Sequence, residues 1–142
     1  MKIFIGCDHA GFEMKEELKK YLIDSNYVVE DTGTYSLDSV DYPDFAHAVA
    51  TGVETTDGSL GLLLCGSANG VCIAANKHQS IRAALCWLPE IASLARQHND
   101  ANVVCIPARF VSSETGHEIL KSFLAASFEG GRHQKRVDKI GC

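Results

Sequence analysis

No stretch of this chain is long and apolar enough to cross a membrane, and none of its six cysteines forms a C-x-x-C pair. The first absence sets aside a helical membrane protein. The second argues against a zinc site or a secreted disulfide framework, because several of the cysteines (Cys7, Cys65, Cys72, Cys86, Cys105, Cys142) sit in apolar, strand-like runs. There is no excess of positive charge either. Lys and Arg number 13 against 18 Asp and Glu, a formal net charge of -5, so no general nucleic-acid or anionic-membrane surface is expected. No signal-peptide pattern precedes the first strand, which points to the cytoplasm. With no internal repeat, linker or low-complexity segment, the 142 residues read as a single domain, 1–142, large enough to bury its own core.

What is present centres on residues 59–78, Ser-Leu-Gly-Leu-Leu-Leu-Cys-Gly-Ser-Ala-Asn-Gly-Val-Cys-Ile-Ala-Ala-Asn-Lys-His. Leu60 to Leu64 is too short an apolar run for a helix and reads as a buried strand of a parallel sheet. The strand stops at Cys65, a tight turn follows at Gly66-Ser67-Ala68-Asn69-Gly70, and Val71 to Lys77 has a helical pattern. Strand, small-residue turn and helix aim free backbone N–H groups at one point, where the helix dipole favours an anion. A thiol there is expected to have its pKa lowered, since thiolate is the charged form. The same residues also suit a structural turn with a buried cysteine, and this stretch alone leaves both readings open.

The remaining strands are predicted at Lys2 to Cys7, Tyr27 to Glu30, Ile81 to Cys86 and Asn102 to Ile106. Helices are predicted at Phe12 to Ile23, with Lys15, Glu16, Lys19 and Lys20 on its polar face, and from Pro43 to about Val53. Two more run from Pro89 to about His98 and from about Glu114 to Ala126, the latter capped by Ser112 or Ser113. Strands alternating with helices imply parallel βαβ units. The predicted fold is a three-layer α/β/α sandwich with a five-stranded parallel sheet, Rossmann-like, followed by a basic helical tail.

Ligands of such sheets bind at the carboxyl ends of the strands. That edge is expected to receive Asp8 and His9 from the first strand, Cys65 and its turn from the third, and Arg109 beyond the fifth. Tyr42 can reach the same crevice from the second loop, and His98 and Asn99 close the helix before the fifth strand. In the tail, Arg132 and Arg136 are four apart and face the same way on a helix, a spacing that suits a phosphate. Taken singly, each of these residues also has an ordinary structural role, as a cap, a loop residue or a surface charge. Their convergence is what suggests a site.

Six segments occur in order: Gly-Cys-Asp-His-Ala-Gly-Phe (6–12), Asp-Tyr-Pro (41–43), Cys-Gly-Ser-Ala-Asn-Gly (65–70), Ile-Ala-Ala-Asn-Lys (73–77), Arg-Gln-His-Asn-Asp-Ala-Asn-Val (96–103) and Glu-Gly-Gly-Arg-His-Gln-Lys-Arg-Val (129–137). Across essentially the whole chain they resemble the sugar-phosphate isomerase family that holds the type B ribose-5-phosphate isomerases and the galactose-6-phosphate isomerase subunits. The resemblance implies an aldose–ketose isomerase acting on ribose 5-phosphate and ribulose 5-phosphate, in the pentose phosphate pathway, with no metal and no cofactor. It implies that Cys65 is the base, that His98 opens the sugar ring, and that the Ser67 hydroxyl lies near the reacting oxygens. Gly66, Ser67, Ala68, Asn69 and Gly70 would form the anion hole. Asp8, His9 and Asn99 would contact substrate, Tyr42 would line the pocket, and Arg109, Arg132 and Arg136 with His9 would hold the phosphate. The family is dimeric with sites at the subunit interface, so a homodimer, or a tetramer of paired dimers, is expected.

Two positions depart from the family pattern. Ala68 stands where many members have Gly; should that position need a positive φ, its methyl costs about 1 kcal/mol. Only a small effect is expected, since the adjacent Asn69 and Gly70 tolerate that conformation. Val71 replaces the Glu base of a second branch, which places this chain with the Cys-base branch. The alternatives are a hexose-6-phosphate isomerase (allose or galactose 6-phosphate) and a non-catalytic sugar-phosphate-binding protein on the same fold.

Overall fold

The computed structural model describes residues 1–141; Cys142 lies outside the described residues. Five strands form: β1 (Lys2–Cys7), β2 (Val28–Asp31), β3 (Leu60–Cys65), β4 (Ala83–Leu85) and β5 (Val103–Pro107). They alternate with α1 (Phe12–Asp24), α2 (Tyr42–Thr55), α3 (Asn69–Ala75), α4 (Pro89–Asn99) and α5 (Ser113–Ala125), and α6 (Arg132–Asp138) follows as the basic tail helix. All strand pairs are parallel, in the order β2-β1-β3-β5-β4. No helix among the described residues is long and apolar enough to cross a membrane.

Side chains of successive strand residues point to opposite faces, and here both faces are apolar, as a sheet covered on two sides requires. Ile3, Ile5, Leu62, Leu64 and Ile106 turn towards α1, α4 and α5, where they meet Leu18, Ile119 and Phe123. Phe4, Leu63, Val103 and Cys105 turn the other way, onto Val49, Val53, Val71 and Ala75 of α2 and α3. Gly61 of β3 lets α2 come close: a methyl there would lie 2.8 Å from Val49 Cγ1. The predicted three-layer sandwich is therefore the observed one.

Three local expectations change. Strand β4 is only Ala83–Leu85, because Ile81 closes a turn on His78 and the Arg82 N–H is taken by the Asn102 side chain at 2.8 Å. Helix α3 starts at Asn69, two residues before the predicted start, with Ala68 as its N-cap. Lys15 is not on an exposed face but fully buried. Its ammonium lies 2.6 and 2.8 Å from the two carboxylate oxygens of Asp31, at the end of β2, and over the rings of Tyr35 and Phe12. Burial alone would raise the Asp31 pKa, but hydrogen bonds from Lys15, Lys19 and the Gly33 N–H hold it below the usual carboxylate value. A paired carboxylate lets a lysine enter the core that periodicity would leave outside.

Candidate active site

The sheet order reverses at β1 and β3: the chain leaves β1 for β2 on one side and returns to β3 on the other. The crevice of a doubly wound sheet opens at that point. Asp8 follows β1 directly. Its N–H reaches the Leu64 carbonyl at 3.2 Å, and its carboxylate accepts from the N–H groups of Ala10 and Gly11 at 2.9 and 3.2 Å. Those bonds fix a short 3-10 turn, His9–Gly11, ahead of α1. His9 accepts at Nδ1 from the Val40 N–H at 3.3 Å, so the neutral ring carries its proton on Nε2. Asp8, His9, Val40, Asp41 and Tyr42 line a cavity of about 510 Å³ at this edge.

Cys65 ends β3 and is buried, with its side chain among the α2 and α3 residues. Backbone N–H groups of Val71, Ala68 and Gly70 are directed at its sulfur, which is the donor cluster expected of this turn. The expected lowering of its pKa does not follow. Burial pushes the Cys65 thiol above its ordinary value, and the negative charge of Asp8 adds to that; the three N–H groups oppose the rise without overcoming it. In the isolated chain Cys65 is a neutral thiol at neutral pH.

Ala68 itself takes the left-handed conformation, at φ 62°, while Asn69 and Gly70 begin the helix. The methyl that costs energy in this conformation is fully buried in the α2–α3 core, which offsets part of the cost. Gly70 is required for a different reason: a Cβ there would lie 2.3 Å from the Tyr42 ring, which lies over it. Ser67 and Asn69 are exposed, and the Asn69 amide donates to the Ser67 hydroxyl at 3.2 Å. Arg109 is held against the turn by its N–H bond to the Gly66 carbonyl, 3.1 Å, with its side chain crossing Gly66. Leu85, Trp87, Pro107 and Phe110 add an apolar recess of about 260 Å³ beside Ser67 and Asn69, a rim that the sequence reading did not foresee.

His98, Asn99, Arg132 and Arg136 are elsewhere. Helix α4 runs from the end of β4 back to the start of β5, so its last residues lie at the amino edge of the sheet. The Arg82 guanidinium there donates to the carbonyls of Asn99 and Asp100, at 3.2 and 2.9 Å, and the Asn102 carbonyl accepts from Gly61 at the start of β3. Cys65 sits at the far end of β3, a strand length away, roughly 15 Å at about 3.3 Å per residue. The expectation that His98 and Asn99 share the crevice with Cys65 does not hold within one chain: parallel βαβ geometry puts a helix's last residues opposite its strand's last residues.

What gathers around His98 is α6. The Glu129 N–H donates to the Gln97 carbonyl at 3.0 Å, and the His133 ring stacks on His98 with centroids 4.2 Å apart and planes 10° from parallel. Glu129 Oε1 lies 3.7 Å from His98 Nε2 and 3.6 Å from His133 Nε2. Arg132 and Arg136 are exposed on the same short helix. Partial burial, then the charges of His98 and Arg132, hold His133 below the ordinary imidazole value. Glu129 and His133 both stand in the segment 129–137 but were not singled out from sequence, because the Gly130-Gly131 turn that brings Glu129 back onto His133 leaves no helical spacing to read.

With this geometry in place, the chain can be compared with known proteins. The profile of the Ribose/Galactose Isomerase family matches residues 3–140. Ribose-5-phosphate isomerase B of Escherichia coli is 45% identical over 139 residues, 98% of this chain and 93% of that protein. The probable ribose-5-phosphate isomerase B of Mycoplasma pneumoniae is 48% identical, over 97% of this chain and 91% of that one. Among solved structures, ribose 5-phosphate isomerase of Thermotoga maritima superposes with a TM-score of 0.96 at 48% identity, covering 99% of this chain and 97% of its own. Ribose-5-phosphate isomerase B of Mycoplasma genitalium, solved with bound ribulose-5-phosphate, gives 0.95 at 46% identity, covering 98% and 93%.

Proposed function

The chain belongs to the ribose/galactose isomerase family, and from that premise we propose that it interconverts D-ribose 5-phosphate and D-ribulose 5-phosphate in the cytoplasm, as a homodimer. The observation that carries this reading is Cys65, buried at the carboxyl edge with three backbone N–H groups aimed at its sulfur and Asp8 beside it.

In the proposed reaction Cys65, as thiolate, removes the proton on C2 of the open-chain aldose and returns it to C1. A hydroxyl proton moves from O2 to O1, so the aldehyde becomes a hydroxyl and C2 becomes the ketone. The intermediate is an enediolate. Its charge develops against the fixed N–H groups of the turn from Gly66 to Gly70, where preorganised donors stabilise it most. The exposed Ser67 hydroxyl assists at the reacting oxygens, Asp8 and His9 orient the sugar, and Tyr42 closes the side of the pocket over Gly70. Arg109 meets the phosphate, which is remote from the reacting carbons and supplies binding energy that positions them.

The other half of the machinery comes from a second copy of the chain. His98 and Asn99 of one protomer, with Arg132 and Arg136, complete the carboxyl edge of its partner. His98 protonates the ring oxygen as the bond from C1 to that oxygen breaks, the anomeric hydroxyl gives up its proton to water as its oxygen becomes the aldehyde, and the two arginines grip the phosphate bidentately. Burial and Asp8 hold the Cys65 thiol up in the single chain; in the proposed dimer the positive groups of the other cluster oppose that rise and stabilise the thiolate.

The test is complementation. Cys65→Ala and His98→Asn proteins, each nearly inactive, are unfolded together and refolded. Shared sites give mixed dimers with one intact and one doubly damaged site, hence roughly a quarter of the wild-type rate for random pairing. A mixture no more active than its components would place both groups in one chain and sink the shared-site reading.

A further inference from the structure

Glu129, His98 and His133 have no assigned joint role, yet their ligand atoms lie within 4.8 Å of one another. We infer that these three side chains form a binding site for a divalent transition-metal ion such as zinc, and that its occupation switches the enzyme off.

Two imidazoles and one carboxylate are a donor set that zinc and its neighbours in the first transition row accept, leaving a fourth position for water. In a tetrahedral site with bonds of about 2.0–2.1 Å the donors are roughly 3.4 Å apart. The observed separations of 3.7 and 3.6 Å from Glu129 Oε1 to the two Nε2 atoms are within a small adjustment of that. Both imidazoles present Nε2 towards the same oxygen. Their planes are stacked 10° from parallel, so each ring must turn about its outer torsion for the lone pairs to converge, and that torsion is soft. His98 and Glu129 are partly open to solvent, which gives an ion access, while His133 is the inner ligand, with its side chain 11% exposed. Arg132 and Arg136 oppose a second cation, so the site is one that fills when metal is abundant rather than one that is permanently loaded.

The consequence for activity rests on the role proposed for His98. A metal on its Nε2 removes the proton it would deliver to the ring oxygen.

Metal-free protein is titrated with Zn²⁺ by calorimetry and with Co²⁺ by absorption, while ribose 5-phosphate turnover is followed in parallel. Wild type binds one ion per chain with loss of turnover, restored by EDTA. Glu129→Gln and His133→Asn, each shown folded by its thermal melt, bind about tenfold or more weakly. Absence of binding to wild type overturns the site. So does equal binding by both variants; a thiolate-to-cobalt charge-transfer band would then place the ion on a cysteine. Binding lost in the variants, with wild-type turnover indifferent to metal, upholds the site and removes His98 from ring opening.

Discussion

The two candidate clusters of this molecule are built in opposite ways. At the carboxyl edge the chemistry is made by the main chain: Cys65, Ala68 and Val71 are buried, and the donors around the sulfur are peptide N–H groups fixed by strand, turn and helix. At the end of α4 the chemistry is made by side chains on the surface of two helices, with His98 half-exposed and Arg132 and Arg136 in solvent. The first is a fixed donor array whose one guanidinium is that of Arg109, laid across Gly66; the second carries two arginines and two histidines on the surface. A cluster built from backbone can stabilise charge on developing oxygens without reorganisation. A cluster built from long side chains can reach across to another molecule. The proposed division of labour between subunits rests on that difference.

The comparison can be broken most decisively at the thiol. Cys65→Ala is expected to lower kcat by about 10³-fold or more while calorimetric binding of ribose 5-phosphate persists, since the sulfur makes no proposed phosphate contact. Binding that falls as far as turnover would mean that the backbone array does not stand without it. Nearly as large is the expected effect on the scaffold beneath. Asp31→Asn leaves Lys15 buried without a counter-charge and should cost about 3–5 kcal/mol of stability at neutral pH, read from urea unfolding. Because Asp31 is held below its unfolded value, its contribution is present above that value and disappears as pH falls through the folded one. Wild type and variant should therefore converge in acid, and a gap that persists at low pH would assign the loss to packing.

At the side-chain cluster, His98→Asn should slow turnover of cyclic ribose 5-phosphate by about 10²-fold. It should spare solvent-proton exchange into an already open-chain analogue; equal losses would remove ring opening from its role. Gly70→Ala tests the tight contact with Tyr42 and should reduce kcat/KM by roughly tenfold, about 1.4 kcal/mol in binding or orientation. Ala68→Gly is expected to be the mildest. Relief of the left-handed strain, about 1 kcal/mol, is set against a lost buried methyl and a freer unfolded chain, so the melting midpoint should barely move. A large change in either direction would show that the turn's conformation is fixed by something other than these three terms.

Most of the fold could be read from the sequence because parallel strands covered on both faces appear as short apolar runs, and β1 and β3 begin where those runs begin. Lys15 could not be read this way. Its burial depends on Asp31, sixteen residues later, and periodicity carries no information about a partner at that distance. The placement of Asp8, Tyr42, Cys65 and Arg109 at the carboxyl edge was legible because they follow or face strand ends. The direction of the Cys65 shift was not, because burial and Asp8 are three-dimensional effects while the helix start is a local one. His98 and Asn99 look close to the others in a motif list and are remote in the chain's own fold, since a crossover helix ends at the opposite edge from where it starts.

Trp87, the chain's single tryptophan, lies half-exposed in the apolar recess next to Ser67 and Asn69. The molecule therefore carries its own optical reporter beside the turn that follows Cys65. Its emission comes from one ring in one environment, so covering that face, by sugar phosphate or by another chain, should shift the spectrum towards the blue without any label. Dilution and ligand titration followed in the same cuvette would then separate assembly from substrate binding by their different concentration dependence.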